Sequence, residues 1–150
     1  MYKKILCATD LDKGSAEAVK QAVHLAHQFD SKIIMLNVHE EFMSKEEMAM
    51  LRVSVEKIKR QFEQVALDAK NAMRRIINNL HAEDIHIEYI LKEGKANKII
   101  CQESIARCVD LIVMGVSDKN VLKNFIFNST AAYVIEHVNI PVLVVPIKNT

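Results

Sequence analysis

Short apolar runs alternate along this chain with segments whose apolar residues recur every three or four positions. The runs are Lys4-Ile5-Leu6-Cys7-Ala8, Lys32 to Val38 around Ile33-Ile34-Met35-Leu36, Leu111-Ile112-Val113-Met114 ending at Gly115, and Val142-Leu143-Val144-Val145. Ile85, Ile87, Tyr89 and Leu91 alternate with His86, Glu88 and Ile90, which predicts a third strand nearer an edge and ended by Gly94. Helical spacing appears over residues 15–29, at Val19, Ala22, Val23, Ala26 and Phe29, with Gly14-Ser15 as the entry turn. A longer helix is predicted from the capping box Ser44-Lys45-Glu46-Glu47, with a continuous stripe from Val55 through Ile58, Phe62, Val65, Ala69, Met73 and Ile76 to Leu80. Ala96, Ile99, Ile100 and Ile105 mark another helix, and a last one runs from about Ser129 to His137. The order βαβαβαβαβ predicts an α/β fold: a single-domain open parallel five-stranded sheet with helices on both faces, spanning residues 1–150.

Composition narrows the function classes. A chain of 150 residues with 50% hydrophobic and 26% charged residues has the make-up of one folded globule. Its net charge of +1 supplies no surplus of cations for a dedicated nucleic-acid surface. No stretch approaches the roughly 20 apolar residues of a membrane helix. The N-terminus turns polar by Thr9-Asp10, too soon for a signal peptide, so a cytoplasmic protein is expected, without membrane or nucleic-acid partners. The three cysteines form no C-x-x-C pair; Cys7 lies in a strand pattern and Cys101 and Cys108 in a helical one, and reduced, mostly buried thiols are expected.

In open parallel sheets, ligands bind beyond the carboxyl ends of the strands, where strand order reverses. That draws attention to Thr9-Asp10, Val38-His39, Gly94 and the polar stretch that leads from Gly115 to Asn128-Ser129-Thr130. A strand, a glycine, a long polar segment and a hydroxyl-rich helix start form the layout of a phosphate-accepting crevice, with backbone N–H groups and a helix dipole converging on it. No G-x-G-x-x-G or P-loop is present, and no serine sits in a nucleophile elbow. His24 and His27 share a helix face but have no third metal ligand nearby in sequence. A phosphoacceptor receiver domain is excluded because Lys92-Glu93-Gly94 stands where its aspartate belongs. No catalytic residue and no metal site are assigned, and no enzyme activity is expected.

With these motifs in place, the chain resembles the universal stress protein family from Met1 to about Ile147. The resemblance is carried by Lys3-Lys4-Ile5-Leu6 with Ala8-Thr9-Asp10, Gly14-Ser15, Val38, Gly94-Lys95-Ala96, Asp110-Leu111-Ile112-Val113-Met114-Gly115, and Ile140-Pro141-Val142-Leu143-Val144-Val145. It implies an adenine nucleotide alpha hydrolase-like, Rossmann-like fold. It also implies a site for ATP or AMP, with Mg, lined by Ala8, Thr9, Asp10, Val38, Met114, Gly115, Asp118, Asn128, Ser129 and Thr130. Nucleotide-binding members follow G-x-x-G-x9-G-[S/T]; this chain reads Gly115-x-x-Asp118-x9-Asn128-Ser129. Asn128 is the milder departure, because Asn tolerates positive φ. Asp118 puts a carboxylate where a phosphate belongs, a repulsion on the order of 4 kcal/mol at about 4 Å and an effective dielectric near 20. Lys119 and Lys123 are candidate compensating charges. The resemblance further implies a homodimer through the last strand, with Pro141 and Pro146 bracketing it. A nucleotide-binding switch and a stress-response module that works by protein–protein interaction alone are both compatible with these residues.

Overall fold

The computed structural model describes residues 1–12, 14–39, 45–117 and 129–147. Five strands, β1 (Lys4–Ala8), β2 (Lys32–His39), β3 (Ile87–Glu93), β4 (Leu111–Ser117) and β5 (Val142–Ile147), form one sheet in the order β3-β2-β1-β4-β5. Every neighbouring pair is parallel, with Ile5 opposite both Ile33 and Leu111. Helices α1 (Ala16–Phe29), α2 (Lys45–Leu51), α3 (Val55–Asn79), α4 (Ala96–Ala106) and α5 (Ser129–His137) make the connections. Side chains alternate across each strand, so the sheet builds two cores. Ile5, Cys7, Ile33, Met35 and Val113 pack with Val19, Ala22, Met73 and Ile77 of α1 and α3. Leu6, Ile34, Leu36, Ile112 and Met114 pack with Ile100, Cys101, Ala131 and Val134 of α4 and α5. No helix among the described residues is long and apolar enough to cross a membrane.

Four expectations need correction. The long helix is two: α2 closes at Leu51 and α3 opens afresh at Val55. Arg52 takes a left-handed conformation (φ 53°), while Arg52 N–H donates to Ala49 O and Val53 N–H to Met48 O, a helix stop that the apolar spacing does not register. Ser54 then caps α3, its hydroxyl accepting from Lys57 N–H at 3.2 Å. The capping box assigned to Ser44 lies outside the described residues. Second, β4 does not stop at Gly115 but continues to Ser117, because Gly115, Val116 and Ser117 pair with Val145, Pro146 and Ile147. Third, Pro146 therefore sits inside β5 rather than beyond it, which an edge strand tolerates because one side of its backbone has no ladder to supply. Fourth, Cys108 lies past the end of α4, exposed and left-handed (φ 52°).

That last residue belongs to a pattern. Helices α1 to α4 each run into a non-glycine left-handed residue: Asp30, Arg52, His81 and Cys108. The backbone closures that follow are Ser31 N–H to Ala26 O, Val53 to Met48, Ala82 to Ile77, and Val109 to Ser104. With three glycines in the whole chain, none is spent on these stops. A side chain in this conformation costs about 1 kcal/mol or more. His81→Gly is therefore expected to raise the unfolding free energy by about 0.5–1 kcal/mol, read by urea titration; an unchanged or lower midpoint would refute it.

Asp110, the residue before β4, explains its place in the quoted motif. Its Oδ2 accepts from the backbone N–H groups of Lys3 and Lys4, both at 2.9 Å, and its own N–H donates to Lys4 O. This carboxylate fixes the entry of β1 beside β4, and hence the register of the pair whose far ends hold the candidate site.

Candidate functional site

Strand order reverses between β1 and β4, so the chain leaves these neighbours toward opposite faces and opens a crevice above their carboxyl ends. The wall on the β1 side is set by local hydrogen bonds. Thr9 N–H extends the ladder by donating to Leu36 O at 2.9 Å. The buried amide of Asn37 donates through Nδ2 to Thr9 O at 2.9 Å. Thr9 Oγ1 then accepts from Leu11 N–H at 3.2 Å, and Asp10 Oδ1 from Asp12 N–H at 3.0 Å. Two consecutive side-chain turns thus hold the segment, with Leu11 at φ 64°.

The crevice is a cleft of about 130 Å³ lined by Ala8, Thr9, Asp10, Ser15, Ala18, Leu36, Val38, Ala96, Ile100, Met114, Gly115, Thr130 and Ile147. Seven of the expected residues, Ala8, Thr9, Asp10, Val38, Met114, Gly115 and Thr130, come together in it. Ser129 opens α5 as an exposed residue and is not part of the wall. Asp118 and Asn128, with Lys119 and Lys123, lie outside the described residues. Leu36, Val38, Ala96, Ile100 and Met114 make an apolar wall; Thr9, Asp10, Ser15 and Thr130 supply the polar positions.

Sequence reasoning missed Ser15, Ala18, Leu36, Ala96, Ile100 and Ile147. Ala96 had a signal, because Gly94-Lys95-Ala96 was already singled out. Leu36 precedes Val38 by two and so shares its face. Nothing local marked Ile147, which reaches the cleft only through the pairing of β5 with β4. A Cβ on Gly115 would stand 2.5 Å from Ile147 Cδ1 and 3.1 Å from its Cγ1, so the glycine makes room for a side chain of this protein.

Among the described residues, Asp10 is the one titratable group in the cleft wall, and no cluster of three His, Cys, Asp or Glu is placed to hold a metal. The thiols differ sharply in environment. Burial pushes Cys7 up to about 12 and raises Cys101, whereas Cys108 is exposed. At pH 8 an excess of disulfide reagent is expected to titrate Cys108 alone in the native protein, and Cys7 and Cys101 only on denaturation. Three fast thiols in the native state would contradict this burial.

A doubly wound parallel α/β sheet with its crevice at the strand-order reversal defines the class. The family model described as "Universal stress protein family" matches residues 1–146, and the chain belongs to that family. Universal stress protein MJ0577 of Methanocaldococcus jannaschii is 30% identical over 159 residues, covering 100% of this chain and 98% of the relative. Its solved structure superposes with a TM-score of 0.77, covering 100% of this chain and 99% of that one. A universal stress protein in complex with cAMP shares the fold at 18% identity and TM-score 0.65, covering 97% of this chain and 98% of that one. So does a universal stress protein family protein from Arabidopsis thaliana with AMP bound, at 17% identity and TM-score 0.63, covering 99% of this chain and 93% of that one.

Proposed function

We propose that this chain is a cytoplasmic, dimeric stress-response module that binds an adenine nucleotide in the cleft between β1 and β4 and acts as a switch rather than as a catalyst. The observation that carries the reading is the convergence of seven sequence-singled residues on one crevice at the strand-order reversal. The donor set fits such a ligand. Leu36, Val38, Ala96, Ile100 and Met114 offer apolar surface for a base, and Asp10 an acceptor for a ribose hydroxyl. Thr130, in the first turn of α5, offers a hydroxyl near a helix N-terminus for a phosphate. The cAMP and AMP complexes of fold neighbours support the same ligand class. Magnesium, if it accompanies the phosphates, would act as their counter-ion.

Asp10 is already turned to a backbone N–H at 3.0 Å, which suits a positioning role better than that of a general base. The dimer reading is supported by β5, an edge strand whose Val142, Leu143 and Val144 are only partly buried in the single chain. Titration calorimetry with AMP and, separately, with ATP and magnesium tests the ligand. Saturable heat from either supports the reading. No heat from both at millimolar ligand overturns it in favour of a module that works by protein–protein interaction alone. Sedimentation tests the dimer, and a monomer at micromolar concentration would refute it.

A further inference from the structure

We infer that Asn37 is a positioning residue that aims Asp10 at the ribose of a bound nucleotide from outside the cleft; this rests on the nucleotide reading above and deepens it. Strand β2 is apolar from Ile33 to Leu36 and then places an amide at a position only 8% exposed. Burying an amide is costly unless its hydrogen bonds are met, and packing alone would be served by a leucine. The bond it makes explains its presence. β1 and β2 keep register only as far as Ala8 opposite Leu36. Thr9 N–H makes one further bond, to Leu36 O, and Thr9 O accepts from Asn37 Nδ2 at 2.9 Å.

Thr9 O and Asp10 N–H share one rigid peptide plane, so whatever holds the carbonyl also sets where Asp10 begins. The bonds from Leu11 N–H to Thr9 Oγ1 and from Asp12 N–H to Asp10 Oδ1 are internal to the segment and cannot aim it. At its Thr9 end the segment is tied to the sheet by β2 alone, once through Leu36 O and once through the Asn37 side chain. Asp10 then lines the cleft with Oδ2 unbonded among the described residues. Asn37 itself is not part of the wall: side chains alternate along β2, so Leu36 and Val38 face the cleft and Asn37 the other side of the sheet. Its influence on a ligand therefore passes through Asp10.

The test is titration calorimetry of the full chain with AMP and with 2′,3′-dideoxy-AMP, repeated on Asn37→Leu, Asn37→Ser and Asp10→Ala, each checked for native circular dichroism. The wild-type protein is expected to bind AMP about tenfold more tightly than the dideoxy analogue, the scale of one hydrogen bond to a charged group. Asp10→Ala is expected to abolish that preference. Asn37→Leu is expected to shrink it at least fivefold while changing dideoxy-AMP affinity less than threefold. Asn37→Ser, smaller and polar, removes the same bond should the leucine variant not fold. A general loosening of the fold would weaken both nucleotides alike. Equal losses, or an unchanged preference in the Asn37 variants, therefore overturn the role of Asn37 and leave the nucleotide site standing. So does a wild-type protein without the preference, or a preference that survives Asp10→Ala. Absence of wild-type binding by both nucleotides overturns the site and the inference together.

Discussion

Met73→Ala lowers the unfolding free energy by about 2–5 kcal/mol, the range for truncating a fully buried methionine to alanine. The reason is how sparingly α3 is anchored. Of its 25 residues only Ala69, Met73 and Ile77 are buried, and Met73 is fully so at 0% exposure. Its side chain sits in the core with Ile5, Cys7, Ile33, Met35 and Ile77, where packing near crystal density leaves little slack to refill a void. For a domain of this length the loss corresponds to a fall in thermal midpoint of roughly 5–15 °C. Urea unfolding followed by circular dichroism checks it: the midpoint drops while the slope is unchanged. A loss below about 1 kcal/mol would mean that α3 is held by something other than this contact.

Arg107→Met is expected to cost about 1–3 kcal/mol at pH 7, between the values for exposed and fully buried ion pairs. Arg107 joins two carboxylates from different elements: Nε donates to Glu103 at 2.7 Å and an Nη to Glu88 at 2.9 Å. Lys92 and Lys32 extend the network to 3.4 Å from Glu103 and 3.2 Å from Glu88. The Arg107 hydrogen bond first, then Lys32, hold Glu88 below the ordinary carboxylate value of 4.5 against the effect of burial. Burial works to raise Glu103, but the bonds and charges of Arg107 and Lys92 outweigh it and hold that group below 4.5 as well. Groups depressed in the folded state contribute stability that is complete above the unfolded value and lost as pH falls through the folded ones. The penalty of Arg107→Met should therefore be full at pH 7 and shrink as pH falls below 4.5 through the lowered folded-state values. An undiminished penalty in acid would assign the effect to lost packing of the arginine stem. Glu88 is 39% exposed and screened by water, so most of the effect is expected to come through Glu103, at 14%.

The inner strands β1, β2 and β4 were legible because they are buried on both faces and read as unbroken apolar runs. The last helix, Ser129–His137, was legible where a hydroxyl-rich start and a short apolar period coincide. Boundaries set by long-range pairing were less readable. Gly115 and Pro146 both look like strand breakers, yet each lies within a strand because its partner across the ladder holds it there. The break at Arg52 was hidden for a related reason: left-handed stops usually carry glycine or asparagine, and this chain uses arginine. In the site, residues at strand ends could be named from order alone. Ile147 could not, since its proximity to Gly115 exists only once β5 has docked.

The central position of β1 has a consequence for synthesis. Its first partner, β2, follows within about 30 residues, but its second, β4, begins only at Leu111. While the ribosome makes the stretch from Ala96 to Ser117, roughly 1–4 s at about 5–20 residues per second, Ile5 to Ala8 present an uncovered backbone edge. A nascent three-stranded half, apolar and unpaired along one side, is an invitation to neighbouring chains. Protection during this interval, by a chaperone or by slow crowding-free expression, should govern the yield of soluble protein more than the stability of the finished fold does.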